Sequence, residues 1–289
     1  MKVVVAGGTG FLGSALAASL RLDGHHVLVM TRHPNAHDEV PWTDASVFDG
    51  ADAVVNLAGE PLDAGRWNAA RKASILESRV KNTEALVKGM SSVARRPAVF
   101  LNGSAVGFYG AHANEALTEE SPPGSDYLAS VCIEWEKAAM AAAWMTRVVL
   151  LRTGLPLDKN GGALPKLALP FRLFAGGRAG SGDQYWSWIH RDDWARMVRW
   201  AIDNPEIKGP VNLTAPSPVT NREFAAALGR ALHRPALAAA PGFALRLAFG
   251  EMADALILSG QRVLPTKAER NGFEFRYPDL QSALRQIYQ

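Results

Sequence analysis

The sequence predicts an α/β protein with a doubly wound parallel sheet and a smaller, mostly helical C-terminal lobe. Short β-branched runs alternate with longer helical patterns through the first half, and each run is continuously apolar. Continuously apolar strands are typical of a parallel sheet that helices cover on both faces. Glycines and prolines become frequent after Leu151, which indicates a change of architecture there. Right-handed crossovers then determine the doubly wound strand order.

The predicted elements follow from these patterns. Strands are expected at 3–5, 27–30, 53–55, 99–101 and 148–151, and helices at 12–22 and 68–90. Beyond Leu151 we predict a strand at 186–190, a helix at 192–203, a strand at 211–214 and mostly helix from Asn221. The domains are therefore expected at 1–155, with return elements near 186–214, and at 156–289. Whether residues 161–182 form a lid is left open.

The composition excludes several classes of protein. Of 289 residues, 48% are hydrophobic and 20% charged, which is ordinary for a folded domain, and the net charge of +3 includes no basic run of the kind that binds nucleic acid. No apolar stretch approaches the roughly 18 residues of a membrane span. The single cysteine, Cys132, permits no intramolecular disulfide, so a reducing, cytoplasmic location is expected. The seven histidines form no cluster typical of a metal site.

The strongest motif is a glycine-rich turn that follows the first strand and opens the first helix. Its spacing is G-x-x-G-x-x-G, and the candidate residues are Gly7, Thr9, Gly10, Phe11, Leu12 and Gly13. Such glycines let the backbone approach a pyrophosphate, which the free N–H groups of the helix then bind. We therefore predict a dinucleotide site of the Rossmann type, the alternative being only a tight turn.

The end of the second strand predicts the choice of dinucleotide. An NAD site usually has Asp or Glu there, whereas this chain has Thr31 and Arg32. A guanidinium suits the 2′-phosphate of NADP(H), so NADP(H) is the predicted cofactor. A solvated surface arginine and an NAD-preferring protein are the alternatives. The next long strand ends at Asn56, and Leu57, Ala58 and Gly59 follow it at the edge where such cofactors lie.

These motifs resemble those of the extended short-chain dehydrogenase/reductase superfamily. The resemblance is greatest to a subgroup of epimerase-family proteins known as nucleoside-diphosphate-sugar epimerases or cell-division inhibitors, and it covers essentially the whole chain. The matching motifs are the glycine turn, Asn-Leu-Ala-Gly at 56–59, Leu-Arg-Thr-Gly at 151–154, Trp-Ile-His at 188–190 and Gly-Gln-Arg-Val-Leu-Pro at 260–265. The resemblance implies that Thr31, Arg32, Leu57, Ala58, Arg79 and Cys132 line an NADP site.

The chain departs from the superfamily in its catalytic residues. The superfamily uses Tyr-x-x-x-Lys with a serine from the preceding strand end, and the candidates here are Ser104, Tyr109 and Tyr127. Tyr127 is followed four residues later by Val131, and a register set by Trp135-Glu136 places Leu128 and Cys132 at the tyrosine and lysine positions. Neither register supplies the lysine, which normally helps to ionise a tyrosine with a pKa of about 10.

Two functions therefore remain open at this point. One is an atypical NADP(H)-dependent oxidoreductase or epimerase that acts on a small polar or sugar-like substrate, with Ser104 polarising its oxygen. The other is a noncatalytic NADP(H)-binding regulator, which the missing lysine favours. The expected partner is a small-molecule substrate, with no nucleic acid and no membrane, and a homodimer is left open. His190 is predicted to be structural, with Asp192 capping a helix.

Overall fold

The computed structural model describes residues 1–289 and contains a seven-stranded, entirely parallel sheet. Its strands are β1 Lys2–Ala6, β2 His26–Thr31, β3 Glu39–Pro41, β4 Ala53–Asn56, β5 Val99–Ala105, β6 Arg147–Thr153 and β7 Gly209–Leu213. Their order across the sheet is β7-β6-β5-β4-β1-β2-β3. The direction of winding reverses between β1 and β4, so the predicted doubly wound sheet is confirmed and ligands are expected at that point of its carboxyl edge.

Ten helices accompany the sheet. They are α1 Phe11–Leu22, α2 Ala69–Ser91, α3 Tyr127–Met140, α4 Leu164–Arg172, α5 Arg191–Asp203, α6 Asn221–Leu232, α7 Gly242–Phe249, α8 Glu251–Ala253, α9 Thr266–Arg270 and α10 Leu280–Tyr288. Side chains cap several of their amino ends: Asn68 accepts from the N–H of Arg71 at α2, and Asp126 from that of Ala129 at α3. Across all ten, none combines the length and apolar character that a bilayer crossing requires.

The two faces of the sheet carry separate apolar cores. Val3 and Val5 of β1 pack with α1 and α5 on one face, while Val4 and Ala6 pack with residues of α2 and α3 on the other. Successive side chains of a strand point to opposite faces, so a strand covered on both sides must be apolar at every position. This explains the unbroken apolar runs in the sequence.

The smaller lobe is built from α4, α6 and α10 around a third core that includes Phe171, Phe224 and Leu284. Four short strand pairs join its segments to one another and to the loops above the sheet. They are Leu155–Leu157 with Trp188–His190, Tyr185–Trp186 with Val219–Thr220, Gly177–Ala179 with Ala238–Ala240, and Ala116–Leu117 with Arg262–Val263. The lobe therefore lies at the carboxyl edge, where β4, β5 and β6 end.

Several segments of the C-terminal region pack against the sheet. As well as α5 and β7, Ala268 of α9 and Phe273 belong to the core between the sheet and the α1–α5 layer. The buried carboxylate of Asp193 also accepts from the backbone N–H groups of Arg276 and Tyr277, at 3.0 and 2.8 Å. Residues beyond 214 thus hold the first core as well as the lobe, which the sequence did not predict.

Candidate functional site

The glycine turn between β1 and α1 is shaped by contacts that leave no space for side chains. Gly7 has a φ of +80°, and a Cβ on it would lie 2.9 Å from the backbone nitrogen of Ala58. A Cβ on Gly13 would overlap the carbonyl oxygen of Gly7 and lie 2.7 Å from Cα of Gly8. The turn therefore packs directly against the end of β4 and the first turn of α1, as a close-approach backbone site requires.

The amino end of α1 has no side-chain cap. Gly10 occupies the cap position without a side-chain hydrogen bond, and the helix bond from Ser14 N to Gly10 O measures 2.8 Å. The N–H groups of Phe11, Leu12 and Gly13 precede this bond and are free to donate to a ligand. Together with the helix dipole, they form a site for an anion such as a pyrophosphate.

The end of β2 presents an arginine with no partner in the protein. Thr31 is half-buried, and its Oγ1 accepts from the N–H of His33 at 3.4 Å. Arg32 is exposed and forms no ion pair or side-chain hydrogen bond. Since β2 neighbours β1 and both end at the same edge, this guanidinium lies on the side of the glycine turn where a bound adenosine would be expected.

A buried amide network holds the end of β4. Asn56 Nδ2 donates to Asn102 Oδ1 at 2.7 Å and to Thr83 Oγ1 at 2.9 Å, and Asn56 Oδ1 accepts from the N–H of Ala58 at 3.1 Å. The N–H of Leu57 donates to the carbonyl of Ala6 at 2.8 Å. These bonds hold the backbone of residues 57–59 against the glycine turn, so the two segments form one continuous surface.

Arg79 on α2 lies beside this surface. A Cβ on Gly59 would be 3.1 Å from Cγ of Arg79, and the Arg79 guanidinium donates to the carbonyl of Ile75 at 2.9 Å and stacks 5.2 Å from the ring centre of Trp135. It has no carboxylate partner, and burial lowers its pKa. Arg79 is therefore a partly desolvated cation, available to an anionic or polar ligand group.

Ser104, the predicted catalytic serine, belongs to a buried ion-pair network. Its Oγ donates to Oε1 of Glu136 at 2.6 Å, and both oxygens of Glu136 accept from Arg152 at 2.9 Å. Arg152 also stacks 3.4 Å from the ring centre of Phe108. Because the Ser104 proton is directed to Glu136, the hydroxyl oxygen is left as an acceptor rather than a donor in this arrangement.

Tyr109 does not suit the predicted contact with substrate. Its side chain is fully buried, with Oη donating to Asn212 Oδ1 at 2.6 Å and accepting from Arg152 at 3.0 Å. Burial raises the pKa of Tyr109, which makes its ionisation harder still. Tyr109 therefore belongs to the buried network beneath β7 and lies away from solvent.

Tyr127 opens α3, and its hydroxyl is also occupied. Tyr127 Oη donates to the carbonyl of Lys72 at 2.8 Å, while the Lys72 ammonium lies 4.5 Å from the centre of the Tyr127 ring. Burial raises its pKa. This geometry does not support Tyr127 as an ionised acid–base group, since its proton is committed to a backbone carbonyl and no cation meets its oxygen.

Leu128 and Cys132 occupy the helix face that points to the end of β5. Leu128 Cβ would lie 3.4 Å from a Cβ on Gly107, and Cys132 Sγ is 3.8 Å from the carbonyl of Ala105. Burial raises the pKa of the Cys132 thiol to about 11. Cys132 packs with Phe108 and Tyr109 and is an unreactive apolar residue in this environment.

Several other sequence candidates are structural. His190 caps α5 itself, with Nδ1 accepting from Asp192 N at 3.1 Å and its ring 4.0 Å from that of Tyr277, so the cap is the histidine and not the predicted Asp192. Trp188 and Trp194 are core residues.

Four buried polar residues of the site were not predicted from the sequence motifs: Thr83, Asn102, Glu119 and Asn212. Asn102 and Asn212 lie within otherwise apolar strands, and this position in the sequence could have indicated that they are buried and hydrogen-bonded.

The loop 60–68, which follows β4, connects the sheet to the lobe. Asp63 pairs with Lys166 of α4, and Arg66 donates to the carbonyl of Leu247 of α7. The Trp67 ring meets that of Tyr127 edge to face, with centres 5.4 Å apart. The loop that follows β4 therefore contacts α3, α4 and α7.

A second connection joins the glycine turn to the lobe. Cβ atoms on Gly161 and Gly162 would collide with the ring of Phe11, and Arg191 lies 5.6 Å from the centre of that ring. Arg191 in turn pairs with Asp158 at 3.0 Å. The turn that leads into α4 thus rests directly on a side chain of the glycine motif.

Comparison with known families agrees with the sheet and the glycine turn. Residues 3–213 match the NAD dependent epimerase/dehydratase family. The chain belongs to this family. Residues 240–287 match a domain of unknown function, DUF1731, which corresponds to α7 through most of α10.

Relatives of known sequence cover nearly the whole chain. The epimerase family protein SDR39U1 homolog of Arabidopsis thaliana, a chloroplastic protein, is 41% identical and matches 100% of this chain and 87% of its own length. The epimerase family protein YfhF of Bacillus subtilis is 38% identical over 99% of this chain and 98% of its own length.

A solved relative shares both the fold and the sequence. The crystal structure of human epimerase family protein SDR39U1 with NADPH has a TM-score of 0.95 and 34% identity, covering 100% of this chain and 99% of that one. A UDP-glucuronic acid 4-epimerase of Bacillus cereus, with a TM-score of 0.77 and 15% identity, shares the fold alone.

Proposed function

We propose that this epimerase-family protein binds NADP(H) and acts as an atypical oxidoreductase on a small molecule bearing a carbonyl or hydroxyl group. The observation that carries the proposal is the pairing of an uncapped α1 with an unpartnered Arg32 at the neighbouring strand end. The first suits a pyrophosphate and the second a 2′-phosphate. The crystal structure of the human relative with NADPH supports the same cofactor.

The residues that would hold the cofactor lie on three adjoining strand ends. The backbone of Gly10 to Gly13 would bind the pyrophosphate, and Thr31 and Arg32 would bind the phosphorylated ribose of the adenosine. Leu57 to Gly59 and Arg79 would contact the nicotinamide half of the cofactor. When bound, NADPH supplies a hydride to a carbonyl carbon, and the oxygen takes a proton from solvent to leave an alcohol and NADP⁺. Cys132 would contribute only apolar packing from beneath, because its thiol is buried.

The proton transfer that accompanies the reaction has little help from this chain. General acid–base catalysis typically contributes about 10²- to 10⁴-fold, and no lysine stands four residues after Tyr127 or Leu128. Ser104 is buried and its proton stays on the Glu136 side, so towards a substrate it would act only as a hydrogen-bond acceptor. We therefore expect slow turnover compared with family members that have the Tyr-x-x-x-Lys pair.

A noncatalytic NADP(H)-binding regulator is the second candidate. It is favoured by one observation: the hydroxyls of Ser104, Tyr109 and Tyr127 all donate to protein acceptors. Single-turnover mixing of the NADPH-loaded protein with carbonyl compounds separates the two candidates, because oxidation of the bound NADPH supports the oxidoreductase and its absence supports the regulator. For either candidate we propose a cytoplasmic location, since the lone cysteine requires no oxidising compartment.

Calorimetric titration with NADPH and NADH tests the cofactor assignment. In Arg32→Ala, NADPH affinity should fall by about 10- to 100-fold, in line with a lost charge-assisted contact of roughly 1.5 to 3 kcal/mol, and NADH affinity should stay unchanged. Arg230→Ala, an exposed arginine on α6, is the matched control and should bind both as the parent does. Equal losses for NADPH and NADH in Arg32→Ala, or no binding of NADPH by the parent, would refute the assignment.

A further inference from the structure

Helices α2 and α3 pack side by side, and two hydrogen bonds give their alignment. The Tyr127 hydroxyl donates to the Lys72 carbonyl at 2.8 Å, and Trp135 Nε1 donates to Thr83 Oγ1 at 3.0 Å. The second bond lies eight residues further along α3 and eleven residues further along α2. The two helices therefore run in the same direction, and residues between the two bonds on the facing sides lie opposite one another.

Arg79 on α2 lies opposite Cys132 on α3. Arg79 is seven residues beyond the first bond and Cys132 is five, which is about two-thirds of the way to the second bond in each helix. The Arg79 guanidinium also stacks 5.2 Å from the ring centre of Trp135, which is three residues beyond Cys132. In the register set by Trp135-Glu136, Cys132 occupies the position of the superfamily's lysine. A cation from the neighbouring helix thus adjoins the position where the lysine is missing.

Arg79 differs from the cations at the start of α2 in having no carboxylate partner. Arg71 and Lys72 each pair with a glutamate. The Arg79 guanidinium donates to the carbonyl of Ile75 at 2.9 Å, and its Nε and Nη2 have no acceptor in the protein. Neither of these two nitrogens is sealed from solvent, unlike Nε of Arg71. Because an arginine stays charged in proteins, a permanent positive charge with free donors remains for a ligand.

The free guanidinium lies at the end of β4. A Cβ on Gly59 would be 3.2 Å from Cζ of Arg79, and residues 57–59 lie at the edge where the cofactor is expected. The superfamily's lysine belongs to a pair that exchanges a proton with the substrate oxygen, while the cofactor exchanges a hydride with the adjacent carbon. A side chain at that position is therefore expected beside the nicotinamide of a bound cofactor.

We propose that Arg79 supplies from α2 the positive charge that a lysine supplies from α3 in the superfamily, and that this charge makes the site bind NADPH more tightly than NADP⁺. The proposal rests on the proposed function for its cofactor. The two forms of the cofactor differ by one positive charge on the nicotinamide ring, so a fixed cation beside the ring disfavours the oxidised form. Cys132 supplies no charge, because burial raises the pKa of its thiol to about 11.

The test is calorimetric titration of the full chain with NADPH, NADP⁺ and adenosine 2′,5′-bisphosphate, which lacks the nicotinamide half. Arg79→Gln removes the charge and keeps a donor for the Ile75 carbonyl. Its preference for NADPH over NADP⁺ should fall by about 5-fold or more, as expected for the loss of one nearby cation, and its affinity for adenosine 2′,5′-bisphosphate should match the parent's. Arg79→Lys should keep the parent's preference. Lys81→Ala removes an exposed cation of the same helix and is the matched control.

A charge restored on the other helix provides a second measurement. Cys132→Lys, added to Arg79→Gln, returns a cation to the superfamily's own position and should restore the preference for NADPH. Binding of adenosine 2′,5′-bisphosphate shows in each variant that the fold and the adenosine half of the site are intact.

Three outcomes would overturn the role of Arg79. These are an unchanged preference in Arg79→Gln, an equal loss of affinity for all three probes in that variant, or no restored preference in a double variant that still binds adenosine 2′,5′-bisphosphate. Failure of the proposed function is recognised separately, because the parent would then bind neither NADPH nor adenosine 2′,5′-bisphosphate, and the proposal for Arg79 would fall with it. A parent that binds all three probes leaves the cofactor assignment standing whatever the Arg79 variants do.

Discussion

At the scale of single residues, the end of β5 is held by a buried ion-pair network. Glu136 accepts one hydrogen bond from Ser104 and two from Arg152. The network continues from Arg152 through Tyr109 to Asn212 and Glu119. Each member is buried. A buried pair of this kind adds little net stability compared with apolar residues, but removing one partner leaves the other charge without compensation.

Glu136→Gln is therefore expected to destabilise the fold by about 3 kcal/mol, because it strands the Arg152 guanidinium in the core. Urea unfolding measures the change. Glu134→Gln, on the same helix, removes only a solvent-exposed partner of Lys137 at 3.5 Å and should cost less than about 0.5 kcal/mol. A similar loss in both variants would contradict the structural role of the network.

The stability of the fold should also depend on pH through Glu119. Burial raises the pKa of Glu119 above its ordinary value, despite bonds from the N–H groups of Asn212 and Lys267. The folded state thus holds this proton at pH values where the unfolded chain has released it. Its contribution to stability is full below the ordinary pKa and is lost as the pH rises through that value toward the raised one.

Glu119→Gln keeps an oxygen for Asn212 N–H but does not titrate. Its free energy of unfolding relative to the parent should therefore increase as the pH rises above the ordinary pKa of a glutamate, about 4.3, because the parent loses the contribution of the proton. Denaturant titrations at several pH values measure this difference. Glu120→Gln, whose side chain is 85% exposed, should track the parent, and a Glu119→Gln difference that is flat or falls with pH would refute the shift.

The sequence predicted part of this residue-level picture. The motif spacing indicated Ser104, Tyr109 and Tyr127 as candidates and showed that the lysine of the Tyr-x-x-x-Lys pair is missing. What the spacing could not give is which hydroxyl is buried. Tyr109 is fully buried under β7, whereas Tyr127 is half-buried at the start of α3. That difference depends on contacts with Asn212 and Lys72, which are far away in the chain.

At the scale of elements, the glycine turn determines how closely α1 approaches β1. Gly13→Ala would set a methyl group against the Gly7 carbonyl, so we expect a loss of about 1 to 3 kcal/mol in stability and a loss of NADPH binding. Thermal unfolding and calorimetry measure the two effects. Ser14→Ala alters the next, exposed position of the same helix and should change neither. Unimpaired NADPH binding by Gly13→Ala would show that the approach is not required.

Long elements were predicted well, and short ones were not. Helix α2 was expected at 68–90 and is found at Ala69–Ser91, since a long amphipathic pattern with an Asn cap defines both ends. Strand β3, Glu39–Pro41, has three residues and no apolar run, so nothing local distinguishes it from a loop. Its pairing with β2 exists only because the neighbouring strand supplies the other half of the ladder.

At the scale of the whole molecule, the C-terminal region and the first core form one packed structure. Phe273 is buried among residues of the sheet and of α1 and α5. Phe273→Ala should therefore destabilise the entire chain by about 3 to 5 kcal/mol, with far-UV dichroism and tryptophan fluorescence shifting together in urea. Phe243→Ala, at an exposed position on α7, should cost no more than about 0.5 kcal/mol. Two separate transitions, with only one of them shifted, would contradict this account.

The contact between Phe11 and the Gly161–Gly162 turn restricts the sequence of that turn. The ring of Phe11, which follows Gly10 of the motif, packs against the segment leading into α4, and the Arg191–Asp158 ion pair lies beside it. Because a Cβ on either glycine would overlap this ring, the segment that leads into α4 can lie this close to the glycine motif only with glycine at both positions.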